Sequence, residues 1–272
     1  MDVRAWDKPQ HMNSKELTQT VHSTSPPMGL NWLDVGCKAN LRIESSIDNV
    51  ATNPHAKVKA IVHLDSSQDT VLYSAGCTWL DVCKHDRDFQ FGTHATGELS
   101  ANSNKSSTTV TFDRSYCSTP SVVVWINGLD VSNSDNCRVK TYTSNITTTG
   151  FTLNVETWGN TKINNAKVTW ISHPTSRSNI ASGEFDTNKV RASYKETDTK
   201  VHAKEIPFGK TFEGKPDVYV GFNFIDTSKD HNLRLKAFAT EVTAKGMTMH
   251  IDTWFDTKLY QAGVSWLAIQ EY

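Results

Sequence analysis

No apolar run in this chain is long enough to cross a bilayer as a helix. The longest, Val122–Ile126, is five residues, against the roughly 20 that a helical span needs. Charge of one sign is equally absent. Lys and Arg number 28, Asp and Glu 29, and the net charge is −1. The basic residues form no stripe, which removes the electrostatic case for nucleic acid, for an acidic membrane surface and for membrane insertion. Cysteine is sparse: Cys37, Cys77, Cys83, Cys117 and Cys137. An odd count without a repeated C-x-x-C argues against a disulfide framework or a zinc site and for thiols in a reducing compartment. The opening residues, Met1 to Trp6, contain no apolar core of a signal peptide. The expectation is a protein that is cytoplasmic or exported without a conventional signal peptide. Asn104-Lys-Ser106 and Asn145-Ile-Thr147 fit the glycosylation pattern, which matters only on a secretory route.

Catalytic signatures are missing too. There is no G-x-S-x-G, phosphate-binding loop or dinucleotide fingerprint. The histidines, His55, His63, His202, His231 and His250 among them, do not recur at metal-ligand spacing. Asp252 and Asp256 could be read as a glycosidase pair. A related segment, however, has Glu156 and Asn160 at those positions. The expectation is therefore no enzyme, no cofactor and no metal.

What the chain does have is a period. Asp34 and Arg42, Asp130 and Arg138, and Asp226 and Arg234 recur in near-identical surroundings every 96 residues, as L-D-V or I-D-T followed by N-L-R or N-C-R. A period of that size means one folding unit used three times. The expected units are 1–83, 96–173 and 182–272, with boundaries near Lys84–Ala95 and His173–Ala181. Thr96-Gly-Glu-Leu99 and Ser182-Gly-Glu-Phe185 read as matching openings of units two and three. Unit one is eroded at its start and carries five extra residues, placed in the loop Asp48–His55. Phe151, Leu153 and Val155 alternate with polar residues, and Met247, Met249 and Ile251 repeat the pattern. Val122–Ile126 and Val218–Ile225 read as interior strands. No segment shows a 3.6-residue stripe. The fold class expected is all-β: three tandem six-stranded antiparallel β-sandwich domains, packed as an intramolecular pseudo-trimer.

An ordered set of fragments is more specific than any one of them. Tyr116-Cys-Ser-Thr-Pro120, Leu129-Asp-Val131, Asn136-Cys-Arg-Val139, Thr149-Gly-Phe151, Thr157-Trp-Gly-Asn-Thr-Lys162 and Val168-Thr-Trp-Ile171 resemble the H-type lectins in order and spacing. The family includes snail agglutinins and the carboxy-terminal domain of discoidins. The resemblance covers most of units two and three. It implies a six-stranded sandwich that trimerises and binds galactose or N-acetylgalactosamine on glycoproteins or glycolipids, in clefts between neighbouring units, with a homo-oligomer as the alternative assembly. In the family one subunit supplies an arginine and an aromatic segment, and the other an aspartate from the loop before its second strand. On unit three this maps to Arg234, Trp254 and Phe255, the last in place of a histidine, with Asp198 as the acid. On unit two it maps to Arg138, Trp158 and Gly159, with Asn102 or Asn104 standing in for the acid. Unit one keeps Arg42 but has Ser67 at the tryptophan position, so its site reads as degraded. Cys117 stands where the snail protein has a subunit-linking cysteine, and is expected here to be a buried or edge thiol.

Such a kit suits the sugar. A carboxylate accepts from two hydroxyls, a guanidinium donates in a planar fork, and aromatic faces cover an apolar patch of C–H bonds. The structural alternatives are also visible in the residues. Arg42, Arg138 and Arg234 could instead be ion-pair partners of Asp34, Asp130 and Asp226. Those three aspartates read as turn residues. Trp79, Trp170 and Trp266 read as core, and the rival function is a structural or protein-binding β-sandwich array.

Overall fold

The computed structural model describes residues 12–17, 25–48, 60–66, 69–82, 86–191 and 199–270. It is built from β-strands and one short 3-10 turn, Thr187–Lys189. Unit one contributes β1 (Met12–Leu17), β2 (Met28–Val35), β3 (Leu41–Asp48), β4 (Ala60–Ser66) and β5 (Leu72–Trp79). Unit two contributes β6 (Gln90–Ala95), β7 (Lys105–Thr111), β8 (Ser121–Val131), β9 (Cys137–Ser144), β10 (Gly150–Glu156) and β11 (Ile163–His173). Unit three contributes β12 (Ile180–Asp186), β13 (Ala203–Pro207), β14 (Asp217–Thr227), β15 (Leu233–Thr240), β16 (Gly246–Asp252) and β17 (Leu259–Ile269).

The strands form three antiparallel sheets, and each sheet takes strands from two units. Their orders are β1-β4-β3-β8-β11-β6, then β12-β17-β14-β9-β10-β7, then β13-β16-β15-β2-β5. Unit one therefore pairs with unit two through β3 and β8, unit two with unit three through β9 and β14, and unit three with unit one through β15 and β2. The ring of junctions closes within the chain. Every unit lends half of its sandwich to each neighbour, so a cut between units leaves open sheet edges with unpaired backbone groups.

Local sequence explains the strands. β10 buries Phe151, Leu153 and Val155, and β16 buries Met247, Met249 and Ile251. The alternating pattern thus lies on one sandwich face in both units. Val123, Val124, Trp125 and Ile126 in β8 are all buried, as their unbroken apolar run requires. The equivalent strands β2, β8 and β14 each skip one residue in their pairing, at Asn31, Asn127 and Asn223. These bulges lie 96 residues apart and re-aim the strand at the same place in every unit.

One position breaks the symmetry. Gly29, Trp125 and Gly221 share a place in the repeat and meet one another. A methyl group on Gly29 would lie 2.5 Å from Trp125 Cβ, and one on Gly221 would lie 2.6 Å from Trp125 Cγ. One indole fills a space that three could not share. It is fully buried and donates from Nε1 to the Ser265 carbonyl at 3.0 Å. Around it Leu80, Val123, Ile171 and Leu267 form an apolar cluster drawn from all three units.

Three expectations are corrected. The stretch Lys84–Ala95, read as a linker, contains β6, which pairs with β11. The openings Thr96–Leu99 and Ser182–Phe185 are not equivalent. Gly183 lies opposite Trp266 and Gly92 lies opposite Trp170, each beneath the indole of its partner. Gly97 instead sits at φ +72° with no such neighbour. The shared requirement is a missing Cβ under a tryptophan, which the Gly-Glu match mimicked by chance. Cys117 is exposed, between β7 and β8. Trp266 is buried, and Trp79 and Trp170 pack against the core. Residues 49–59, which hold most of the extra loop of unit one, lie outside the described residues. Among the described residues the third sheet has five strands, one fewer than the others.

Candidate functional site

The repeated Asp and Arg do pair, but each arginine holds the aspartate of the next unit. Antiparallel register places Arg42 opposite Asp130, Arg138 opposite Asp226 and Arg234 opposite Asp34. The corresponding Nε to Oδ1 distances are 3.0, 3.6 and 3.5 Å. Pairing within a unit is thus corrected to pairing across a junction. The aspartates are not turn residues; they lie near the ends of β8, β14 and β2. The asparagine two residues before each arginine repeats the logic. The side-chain oxygens of Asn40, Asn136 and Asn232 accept from the backbone N–H of Asn133, Lys229 and Cys37 at 2.9, 3.1 and 3.0 Å. The motif N-x-R is a two-point clasp on the neighbouring unit.

A threonine holds each arginine strand from behind. Thr70, Thr161 and Thr257 donate to the carbonyls of Asn40, Asn136 and Asn232, each at 2.7 Å. In unit two Thr157 also donates to the Arg138 carbonyl at 2.6 Å. This brings Trp158 and Gly159 onto the two–three junction. Trp158 meets Phe224 of unit three edge-on, with ring centroids 5.3 Å apart. Gly159 has φ +63°, and a Cβ there would lie 2.7 Å from Arg138 Nη1. That guanidinium also reaches Asp135 at 3.4 Å and Thr161 at 3.3 Å. Burial pushes the Asp226 carboxyl up to about 6, while Arg138 and a hydrogen bond from Trp158 pull it back.

The three–one junction has the same frame with different facing residues. Burial raises the Asp34 carboxyl, opposed by Arg234 and by a hydrogen bond from Trp254. Phe255 takes the place of Gly159. It is 80 % exposed, sits at φ +51°, and lies with its ring centroid 5.2 Å from the Arg234 guanidinium carbon. Asp256 pairs with Arg234, and His231 meets the same carboxylate at 3.3 Å. These two partners hold the Asp256 carboxyl below its usual range, Arg234 first. Asp256 is thus an acidic group of the site that the family mapping passed over. Its adjacency to the aromatic pair was the available signal.

The Asn104 carbonyl accepts from Thr157 N–H at 2.9 Å, and the Lys200 carbonyl accepts from Thr253 N–H at 2.8 Å. Asn104 and Lys200, just before β7 and β13, therefore lie against the Thr-Trp turn of their own unit. The neighbouring unit supplies the aspartate of its long strand to the arginine. Asp198 and Ser67 fall outside the described residues. At the one–two junction Arg42 pairs with Asp130 and with Asp69, and Asn164 donates to Asp130 at 2.9 Å. Among the described residues no group of three or more His, Cys, Asp or Glu side chains could hold a metal ion.

Comparisons with known proteins identify two of the units. The H-type lectin domain pattern matches residues 107–173 and 203–269. A curated relative, the ATP synthase subunits region ORF 7 protein of Fuscovulum blasticum, is 33 % identical over 63 residues, which are 23 % of this chain and 55 % of that protein. The match thus spans about half of the relative's length. Two structures of discoidin II from Dictyostelium discoideum align over 95 % and 96 % of this chain, and over 95 % and 94 % of their own. Their identities are 15 % and 12 %, and the TM-score is 0.30 for both. Through its two matched units the chain belongs to the H-type lectin family.

Proposed function

We infer that the protein is a non-enzymatic lectin that binds terminal galactose or N-acetylgalactosamine at the two–three and three–one junctions. The observation that carries this reading is Phe255. A large apolar side chain that is 80 % exposed, on a left-handed backbone, has no packing role to explain it. It stands over Arg234 and beside Trp254, with Asp256 as acceptor. A sugar laid on this platform presents its C–H face to the aromatic ring and its hydroxyls to the guanidinium and carboxylate. At the two–three junction Gly159 leaves the backbone bare, so Arg138 and Trp158 form a shallower version. A single site of this kind is weak, and two on one rigid body raise avidity on multivalent glycans.

The rival reading, a structural array, draws on the arginines themselves. Arg42, Arg138 and Arg234 all hold a neighbouring unit's aspartate. A glycan array separates the two. Binding to terminal galactosides that falls at least about tenfold in Phe255→Ala, with the thermal midpoint kept, supports the lectin; tenfold corresponds to about 1.4 kcal/mol of lost contact. No glycan binding by the wild-type chain supports the rival.

A further inference from the structure

We propose that the three–one junction holds a second pocket, beside the galactoside platform, that takes a small carboxylate with an apolar body. The pocket has a volume of about 380 Å³ and is lined by Asn31 and Thr78 of unit one and by Val220, Lys236, Ala237 and Ala239 of unit three, among others. That size lies within the range of small-ligand sites. It opens where β15 parts from β2. Their pairing ends at Lys236 and Trp32, while β15 runs on to Thr240.

Two alanines make the room. Ala237 and Ala239 stand where unit two has Thr141 and Thr143 and unit one has Ser45 and Ile47. Thr141 and Ser45 are buried, and each makes a hydrogen bond that an alanine cannot. Thr141 donates to the Asn154 carbonyl at 3.1 Å, and Ser45 pairs with the Asn127 side chain. Asn31 holds the repeat position of Asn127 and of Asn223, which donates to Ser265 at 2.9 Å. With Ala237 at the place of the serine, Asn31 Oδ1 is left buried without a partner. The end that Asn31 turns to the pocket is therefore Nδ2, a donor.

The rest of the lining sets the chemistry of the ligand. Val218, Val220 and Val242 join the alanines in an apolar wall, which suits an alkyl or aryl body. The Asn31 amide and the Thr78 hydroxyl are neutral donors. Lys236 adds an ammonium, its Nζ 4.4 Å from the Trp32 ring centroid and 5.6 Å from that of Phe238. It need not give up its contacts within the protein, because an ammonium carries three N–H donors. Lys215 and Asp217 also border the pocket; both are exposed, and their charges are of opposite sign. The preference for an anion therefore rests on the amide, the hydroxyl and Lys236. A carboxylate has two acceptor oxygens for these donors, and its charge makes each bond stronger than one to a neutral hydroxyl.

The test is calorimetric titration of the full chain at neutral pH and low salt with three probes. They are 4-phenylbutyrate, 4-phenylbutanol, which lacks the charge, and acetate, which lacks the apolar body. The expected result is 4-phenylbutyrate at least about tenfold tighter than either of the others. Ala237→Thr/Ala239→Thr installs the residues of unit two and fills the pocket. It is expected to abolish binding, with thermal midpoints checking that the variant folds. No binding of 4-phenylbutyrate, equal affinity for the alcohol or for acetate, or unchanged binding in folded Ala237→Thr/Ala239→Thr overturns the proposal. Should that variant not fold, Thr78→Val, which removes a hydroxyl at nearly constant shape, decides the question. It is expected to weaken 4-phenylbutyrate about threefold or more, and unchanged binding overturns the proposal. Because the probes carry no sugar and the variants leave Arg234, Trp254 and Phe255 in place, this outcome and that of the glycan array can fail separately.

Discussion

Phe255 and Gly159 occupy one place in the repeat, and the backbone there accounts for the difference in cost between them. Both have φ above +50°, which glycine adopts freely and a bulky residue only under strain of about 1–3 kcal/mol. Phe255→Gly is therefore expected to raise stability by roughly 1 kcal/mol in a denaturant titration while weakening galactoside binding. A gain in both would remove the trade that the lectin reading requires. Asp226 gives a second prediction at this scale. Its folded carboxyl titrates near 6, above its ordinary value of 3.8, so between those limits the folded state holds more proton than the unfolded one. Its contribution to stability is present below about pH 4 and is lost as pH rises through about 6. Asp226→Asn is expected to flatten the stability profile between pH 4 and 6, read from thermal midpoints against pH. The arginine and aspartate were legible as a repeated pair in sequence. That they serve different units was not, because a strand's own residues do not say whose edge it will meet.

Strand identity was the most legible feature at the level of elements. The alternation in β10 and β16 and the apolar run in β8 state both the element and its buried face. β6 was missed because Phe91-Gly92-Thr93 offers little alternation and its glycine serves a tryptophan 78 positions later in the chain. The glycines around Trp125 carry the next prediction. Gly221→Val places branched carbons where the indole already stands at 2.6 Å, and is expected to destabilise by about 1–3 kcal/mol or more. Trp125→Ala leaves a cavity and costs about 3–5 kcal/mol. The combination with Trp125→Ala is expected to recover part of the Gly221→Val loss in a double-mutant cycle. Strict additivity would mean that the two residues do not share the space.

The molecule as a whole is a ring of three units whose sheets are completed by neighbours. Light scattering is expected to give the mass of one chain, 30.4 kDa. A symmetric assembly through copies of the same unit would bring three identical side chains to the place where this chain has Gly29, Trp125 and Gly221. Removing residues 182–270 is expected to abolish cooperative unfolding and solubility, because it strips partners from both β9 and β2. By itself the sequence determined the period, the strand class and the family, since these depend on local alternation and on motifs repeated at fixed spacing. Only the tertiary structure decided that the clasp runs from each unit to the next and that one indole serves three units. It also decided that the unit with the poorest motif sets Glu44 opposite Asp65, where the other two units set a lysine opposite a carboxylate. Those outcomes depend on which edges meet when the ring closes, and a side chain's partner across a junction is set by that geometry rather than by its neighbours along the chain.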